Sequence, residues 1–380
     1  MRMLIAGGGT GGHLFPGIAL AEEVVTRHPQ NSVLFVGTAR GLESKVLPQT
    51  GFPLELIDAV GLKRKGLSGF LAGLLKLPRA LFASMRILRK FDPDVVVGVG
   101  GYASGPVVLA AWLLRIPTAI QEQNALPGFT NRVLGHFARA TFIAFEEARR
   151  RLAGGRIYLL GNPIRRAFLD NYLKPHPTAS ADRFTILITG GSQGAHVLND
   201  RVAGALELLT DLRDRLFVMH QTGDSDRNAI AERYAKSGIS AEVNAFISDM
   251  SGVYARADLV VCRAGATTLA ELTACKRASI LVPFPFAADD HQTVNARALV
   301  DAGAAVMIAE QELTPERLAT EIRALITDDT LRRQMERAAG TLGRPQAAKE
   351  IADVCVELCI ARLVREGRDK PLPKAKKGSA

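Results

Sequence analysis

"MRMLIAGGGTGGHLFPGIALAEEV", residues 1–24, decides how the rest of the chain is read. A short apolar run, Met3 to Ala6, breaks at a glycine cluster, and a helix-like stretch follows with His13 at its lip. A buried parallel strand turning into a helix reads this way. Such a turn exposes free backbone N–H groups at a helix N-terminus, a ready site for phosphate. Gly7-x-Gly9-x-x-Gly12 also fits the dinucleotide fingerprint formally. That fingerprint needs an acid about 20 residues on, at the end of the second strand, to hold a ribose. Here the second strand ends "VLFVGTARG" (33–41) and no acid appears until Glu43, so the NAD reading loses its support. A tight turn without a ligand is the alternative, although six glycines are more than a turn requires.

The same unit opens a second half as "TILITGGSQGAHVLND" (185–200). Ser192 can donate to a phosphate oxygen while the amides of the next helix share the charge. The loop lacks the GK[ST] ending of a Walker motif, so ATP hydrolysis is not expected. Elsewhere "VLFVG" (33–37), "DVVVGVG" (94–100), "PTAIQE" (117–122), "LFVMHQTG" (216–223), "ADLVVCRAG" (257–265) and "ASILVPFP" (278–285) are short, apolar and β-branched. Strands buried on both faces and alternating with helices predict an α/β chain with doubly wound parallel sheets. The stretch "GNPIRRAFLDNYLKPHPTASADRF" (161–184) carries three prolines and suits a linker. The expected halves are 1–162 and 163–340. A last helix at 345–366 is expected to pack back on the first half, and 367–380 reads as a disordered basic tail. One anion-binding turn per half, facing across a cleft, would suit the joining of two phosphorylated partners.

At 380 residues, 47% of them hydrophobic, the chain suits two domains and excludes general disorder. Met3 to Ala6 is too short for the apolar region of a signal peptide, and a cytosolic protein is expected. Cys262, Cys275, Cys355 and Cys359 form no CxxC pair, so packed thiols are expected, and no metal. The net charge of +10 is localised: eight Lys/Arg and no acid lie between Gly61 and Phe91, and seven Lys/Arg against two acids follow from Arg362. Localised charge points to a particular anionic surface.

Read in order, "GGGTGGHLFPGIALAEE", "GVGGYASGPVVLAA", "QEQNALPG", "GNPIR", "ITGGSQGA", "FISDM", "CRAGATTLAEL" and "PFPFAADDHQTVNA" resemble the MurG family of transferases, over residues 1 to about 360. The resemblance implies the GT-B fold, two Rossmann-like domains. It also implies the family's reaction, an inverting transfer of N-acetylglucosamine (GlcNAc) from UDP-GlcNAc to the 4-hydroxyl of N-acetylmuramic acid (MurNAc) in lipid I, giving lipid II of the bacterial cell wall. By position it implies first-loop contacts at Thr10, Gly11 and Gly12, with Gly9, Gly101 and Tyr102 at the acceptor diphosphate. Asn124 falls at a donor-sugar contact, Arg165 and Ser192 at the UDP part, and Ile247 where the family's backbone reads the uracil edge. Ala266, Thr267 and Thr268 would open a helix whose N-terminus faces diphosphate, with Leu269 and Ala270 also substrate-binding, Glu271 would hold the ribose, and Gln292 and Asn295 the GlcNAc hydroxyls. Inversion needs a base near the acceptor hydroxyl and donors for the leaving diphosphate. His13 is the candidate base or a loop and phosphate contact, and Glu122 is a second candidate. Gln121 stands where the family often has histidine, which shifts weight to His13.

No DxD-type pair stands at a strand end, Asp289-Asp290 reads as a solvated turn, and no cofactor or metal is expected. The acceptor's polyprenyl chain demands a bilayer. In "GLKRKGLSGFLAGLLKLPRALFASMRILRKF" (61–91), Leu67, Phe70, Leu71, Leu74 and Leu75 could dip into lipid while Lys63, Arg64, Lys65 and Lys76 meet anionic head groups. Pro78 is expected to open a new helix, with Leu81, Met85 and Leu88 in the core. The expected partners are UDP-GlcNAc, lipid I, an anionic membrane surface at the cytoplasmic face of the inner membrane, and other cell-wall synthesis proteins. With 6% aromatics and charge mixed among leucines, nucleic acid is not expected. The rival readings are a UDP-GlcNAc 2-epimerase on the same fold and a nucleotide-sugar or nucleic-acid binding module.

Overall fold

The computed structural model describes residues 1–59, 66–172, 183–191 and 194–365, with backbone alone at 66–76, 171, 172 and 365. The chain divides into two units, Met1–Arg165 with Gln346–Ala380, and Arg166–Pro345. Unit 1 runs β1 (Arg2–Gly7), α1 (Gly11–Arg27), β2 (Ser32–Gly37), α2 (Glu43–Thr50), β3 (Leu54–Leu56), α3 (Gly66–Phe91), β4 (Val95–Gly100), α4 (Ser104–Leu113), β5 (Thr118–Glu122), α5 (Phe129–Leu134), β6 (Ala140–Ile143) and β7 (Arg156–Leu159). Unit 2 continues with α6 (Arg166–Tyr172), β8 (Phe184–Thr189), α7 (His196–Glu207), β9 (Leu216–Gln221), α8 (Arg227–Ser237), β10 (Ala241–Asn244), α9 (Met250–Arg256), β11 (Leu259–Cys262), α10 (Ala266–Ala274), β12 (Ala278–Leu281), α11 (His291–Val300), β13 (Val306–Met307), α12 (Pro315–Thr327) and α13 (Asp329–Leu342). The chain then returns to unit 1 as α14 (Ala347–Arg365).

Both sheets are parallel throughout, β3-β2-β1-β4-β5-β6-β7 in unit 1 and β10-β9-β8-β11-β12-β13 in unit 2, the same order over six strands with β7 added at the edge of the first. The two-residue period of a strand explains why the central strands are apolar without alternation. Met3 and Ile5 of β1 point into one cluster with Phe35, Val97 and Leu14 of α1, while Leu4 and Ala6 point into the opposite one with Val96, Val108 and Leu88. Each face needs its own helical cover, and burying one such side chain contributes about 1.5–3 kcal/mol. The edge strands β3, β7, β10 and β13 are short and less buried, so no apolar run announces them.

Helix α14 completes the α1 face. Ile351, Ala352, Cys355 and Cys359 are almost fully buried on it, at the i, i+4 spacing of one helix stripe. All four cysteines are free and buried. Burial pushes the thiols up, to about 12 for Cys262, Cys275 and Cys359, so they pack as small hydrophobes.

Two expectations need correcting. Pro78 opens no new helix: it lies inside the continuous α3. Packing on α4 and the apolar face that buries Leu88, with Leu81 and Met85 against it, outweighs the hydrogen bond lost at the ring. The presumed linker also starts later, because Arg166–Tyr172 is helical and Phe168 is fully buried against Tyr254, ring centroids 5.6 Å apart. The expected basic tail, the expected head-group contacts Lys63, Arg64 and Lys65, and Ser192 lie outside the described residues. So do the side chains of Leu67, Phe70, Leu71, Leu74, Leu75 and Lys76.

Candidate functional site

In a doubly wound sheet the strand order reverses at one point, and ligands meet the loops at the carboxyl ends of the strands there. In unit 1 that point lies between β1 and β4, in unit 2 between β8 and β11. These strands end in "GGGTGG", "GGYAS", "GGSQG" and "RAGATT". Four of the motifs singled out from the sequence therefore follow the strands of the two switch points, with Ser192 and Gln193 of one of them outside the described residues.

The turns after β1 and β4 interlock through their backbones. A Cβ on Gly7 would fall 2.3 Å from the Gly100 carbonyl oxygen, and one on Gly101 would fall 2.3 Å from that of Gly8. The N–H of Gly8 donates to the carbonyl of Gly100 at 3.3 Å. Thr10 caps α1 in extended geometry, and its carbonyl accepts from the N–H groups of His13 and Leu14. The N–H groups of Gly11 and Gly12 sit in the first turn, where no intrahelical acceptor exists. His13 is partly buried with its ring against Gly100, and Tyr102 is 58% exposed beside it in sequence. Gly9 is exposed, but its N–H is engaged by the carboxylate of Glu43 at 2.6 Å.

At the end of β5 the structure corrects one candidate. Glu122 is 2% exposed and accepts from the N–H of Asn124 at 2.9 Å, the N–H of Gly128 at 3.1 Å and Nδ2 of Asn131 at 2.9 Å. Nδ2 of Asn124 adds a fourth contact at 3.3 Å. A general base must reach the proton it takes. This carboxylate is enclosed by its own loop, which it pins, although burial holds its pKa above the usual carboxylate range. Gln121, where the family often has histidine, is likewise buried. Its Nε2 donates to Oδ1 of Asn162 at 3.1 Å, and its Oε1 accepts from Gln123. Arg165 closes unit 1 with its guanidinium 5.4 Å from the ring centroid of Phe15.

In unit 2, α10 begins at Ala266 beyond an extended Gly265. The hydroxyl oxygen of Thr267 is buried and has no hydrogen-bond partner among the described residues. Thr268 and Ala270 are partly buried, whereas the Leu269 side chain is 1% exposed, so only its backbone can meet a ligand. Glu271 lies on α10 at 7% exposure. Asn295 on α11 is fully buried, with Nδ2 donating to the carbonyl of Ala264 at 3.3 Å, and Gln292 accepts from the N–H of Phe284 at 2.9 Å. Asp289 and Asp290 are exposed and adopt left-handed backbone conformations, as a solvated turn would.

Two residues of unit 2 escaped the sequence reading. Gln221, at the end of β9, donates to the carbonyl of Gly191 at 2.8 Å and accepts from the N–H of Ile247 at 2.9 Å. It ties the second glycine turn to "FISDM" and leaves the carbonyl of Ile247 as that residue's remaining backbone group. Arg263 donates to the carbonyls of Val282 and Pro283 at 3.2 Å, pairs with Glu310, and stacks 5.5 Å from the Phe284 centroid. The signal for both was polarity at the carboxyl end of a strand. Among the described residues no group of three or more His, Cys, Asp or Glu side chains is arranged to hold a metal ion.

Residues 3–143 match the glycosyltransferase family 28 N-terminal domain, and residues 185–351 match the glycosyltransferase family 28 C-terminal domain. A curated relative from Anaeromyxobacter sp. (strain Fw109-5) is 66% identical over 361 residues, 94% of this chain and 93% of the relative. Its name is UDP-N-acetylglucosamine–N-acetylmuramyl-(pentapeptide) pyrophosphoryl-undecaprenol N-acetylglucosamine transferase. The crystal structure of MurG from Acinetobacter baumannii superposes with a TM-score of 0.77 at 33% identity, covering 94% of this chain and 99% of that one. A UDP-GlcNAc 2-epimerase from Neisseria meningitidis bound to UDP-GlcNAc reaches a TM-score of 0.69 at 13% identity, covering 94% of this chain and all (100%) of that one. That likeness is one of fold.

Proposed function

This chain belongs to glycosyltransferase family 28 and, within it, to the MurG transferases; from that premise we propose how its own residues carry out the family's reaction. It is a UDP-GlcNAc-dependent glycosyltransferase that moves GlcNAc onto lipid I to give lipid II in peptidoglycan synthesis. The observation that carries this reading is the high identity to a transferase of that name across both units.

Unit 2 takes the donor. The N-terminus of α10 carries partial positive charge, and the buried Thr267 hydroxyl adds a donor to it. The Glu271 carboxylate accepts from the ribose hydroxyls, Gln292 meets the sugar, and the carbonyl of Ile247 reads the uracil edge, while Asn295, fully buried with Nδ2 on the Ala264 carbonyl, supports the segment before α10. Unit 1 takes the acceptor. Its diphosphate meets the first turn of α1 at Thr10, Gly11 and Gly12, beside Gly101 and Tyr102. The N–H of Gly9, engaged by Glu43, plays no direct part in this reading.

In the reaction the acceptor 4-hydroxyl attacks the anomeric carbon as the bond to the UDP oxygen breaks on the opposite face, inverting the centre. The hydroxyl proton passes to His13, and the charge left on UDP is met by Arg165 and the α10 N-terminus. No metal enters this reading. Asn124, with its N–H and Nδ2 on Glu122, is held as a sugar contact, and Glu122 acts by pinning that loop.

The enzyme works at an anionic membrane surface on the cytoplasmic face. Supporting this, Phe82 of α3 is 78% exposed and Trp112 and Leu113 of α4 are 45% and 47% exposed, on helices that pack together. Phe82 shares α3 with the exposed basic residues Arg79, Arg86, Arg89 and Lys90, and this mixture fits a peripheral face. Among the described residues no helix is long and apolar enough to cross a membrane. The test of the function is incubation with labelled UDP-GlcNAc and a lipid I analogue, which should move the label into the lipid fraction.

A further inference from the structure

Glu43 is 1% exposed, and nothing in the reaction described above uses its carboxylate. Oε2 accepts from the N–H of Gly9 at 2.6 Å, and Oε1 accepts from the N–H and hydroxyl of Thr38 at 2.8 and 3.1 Å. Three glycines close round it. A Cβ on Gly8, Gly37 or Gly41 would fall 2.3, 2.4 or 2.1 Å from an atom of the Glu43 side chain. A carboxylate taken out of water is costly, and these donors are neutral amides and a hydroxyl. An apolar side chain of like volume would fill the space without that cost. It could not hold an N–H.

The held N–H belongs to a run of three glycines. Gly7, Gly8 and Gly9 stand in sequence with φ of 148°, 136° and 89°, and glycine is the residue with the most conformations to lose. Gly8 in turn abuts Gly101, and Gly100 abuts the His13 ring. Contacts thus run from Glu43 through the first turn to the second and on to His13. In a dinucleotide-binding fold an acid after β2 reaches outward to a ribose. Here the acid that follows β2 turns inward to the backbone of the turn itself.

We propose that Glu43 is the positioning residue of the first glycine turn, fixing Gly8–Gly9 so that the α1 N-terminus and the His13 ring are presented together to the acceptor. The proposal rests on the reading that the acceptor diphosphate meets this turn. It predicts an effect on the acceptor side, because Glu43 holds Gly9 and Thr38 and neither Asn124 nor Arg165, the residues of unit 1 assigned to the donor.

Glu43→Gln keeps the volume but gives a side chain with one acceptor oxygen, so either Gly9 or Thr38 faces an amide NH₂. The experiment measures kcat and both KM values of the full-length enzyme with UDP-GlcNAc and a water-soluble lipid I analogue, alongside UDP binding. The expected result is an acceptor kcat/KM down by about tenfold or more, as misplacement of reacting groups produces, with donor KM and UDP affinity within about twofold of wild type. An acceptor kcat/KM that stays at the wild-type value overturns the proposal. So does a rise in the donor KM and in the UDP dissociation constant as large as the change on the acceptor side, which would mark Glu43 as general support of the fold. If the Gln variant does not fold, Thr38→Val carries the test: losing the one hydroxyl contact should lower the acceptor kcat/KM by about threefold, and no change overturns the proposal. A wild-type enzyme that never transfers GlcNAc to the analogue would instead overturn the functional reading beneath it.

Discussion

The imidazole of His13 lies against the backbone of Gly100, so close that a Cβ on that glycine would fall 3.0 Å from both Cδ2 and Nε2. Gly100 also has φ of 94°, where an L side chain is strained. Gly100→Ala should therefore displace the ring and cut kcat, by about a hundredfold if His13 takes the proton, while the affinity of the enzyme for UDP stays near wild type. Steady-state kinetics together with a UDP titration checks this, and an unchanged kcat would show that the position of the ring is immaterial.

His13 itself can be tested by two substitutions. A general base contributes roughly 10²- to 10⁴-fold, so His13→Ala should lower kcat on that scale with donor affinity little changed. His13→Asn keeps hydrogen bonding without a titratable nitrogen. If Asn is as poor as Ala and the acidic limb of the kcat profile disappears, the histidine moves the proton. Recovery of most of the rate by Asn would limit it to positioning the turn or touching phosphate.

Glu271→Ala should raise the donor KM by about ten- to a hundredfold, because a lost hydrogen bond to a charged acceptor costs about 1.5–3 kcal/mol. The KM of the acceptor should hardly move. A donor KM equal to wild type would remove Glu271 from the ribose.

His220 gives unit 2 a pH signature. It is fully buried, with Nδ1 accepting from the Tyr234 hydroxyl at 2.8 Å and Nε2 donating to Oδ1 of Asn199 at 3.1 Å. Burial lowers its pKa from 6.5 to about 3. Above pH 6.5 the folded and unfolded states are both neutral at this residue, and its contribution is fully present. Between pH 6.5 and about 3 only the unfolded chain takes the proton, so stability falls by up to about 1.4 kcal/mol per pH unit. In urea melts across this range, His220→Gln should be less stable at pH 8 but show a shallower acid slope. Parallel slopes in the two proteins would refute the assignment.

The alternation of apolar runs with glycine turns made both doubly wound sheets legible, because strands buried on two faces leave no polar residue to obscure them. The turns were legible because Gly7–Gly9 and Gly100–Gly101 need a backbone that only glycine adopts freely. Pro78 misled because a local rule met a helix held by its neighbours. Glu43 and Gln221 went unread because their partners, Gly9 and Ile247, lie 34 and 26 residues away and meet them only in the folded sheet. Glu122 was read as a second candidate base, while Asn131, which helps enclose it, gave no signal in the sequence.

The membrane face rests on charge. Replacing Lys63, Arg64 and Lys65 with Ser should weaken binding to vesicles rich in anionic lipid, at about 1 kcal/mol per basic residue, and leave transfer to a soluble acceptor unchanged. Sedimentation with vesicles at low salt checks it. Undiminished binding would place the membrane contact elsewhere on the chain.

The central claim, acceptor-dependent transfer of GlcNAc, is tested most directly by following UDP release and lipid product in one reaction with UDP-GlcNAc and lipid I. The account predicts that UDP appears only when lipid I is present, mole for mole with a β1,4-linked GlcNAc–MurNAc lipid. UDP release or a 2-epimerised sugar in the absence of lipid I, with no disaccharide lipid when it is present, would contradict it.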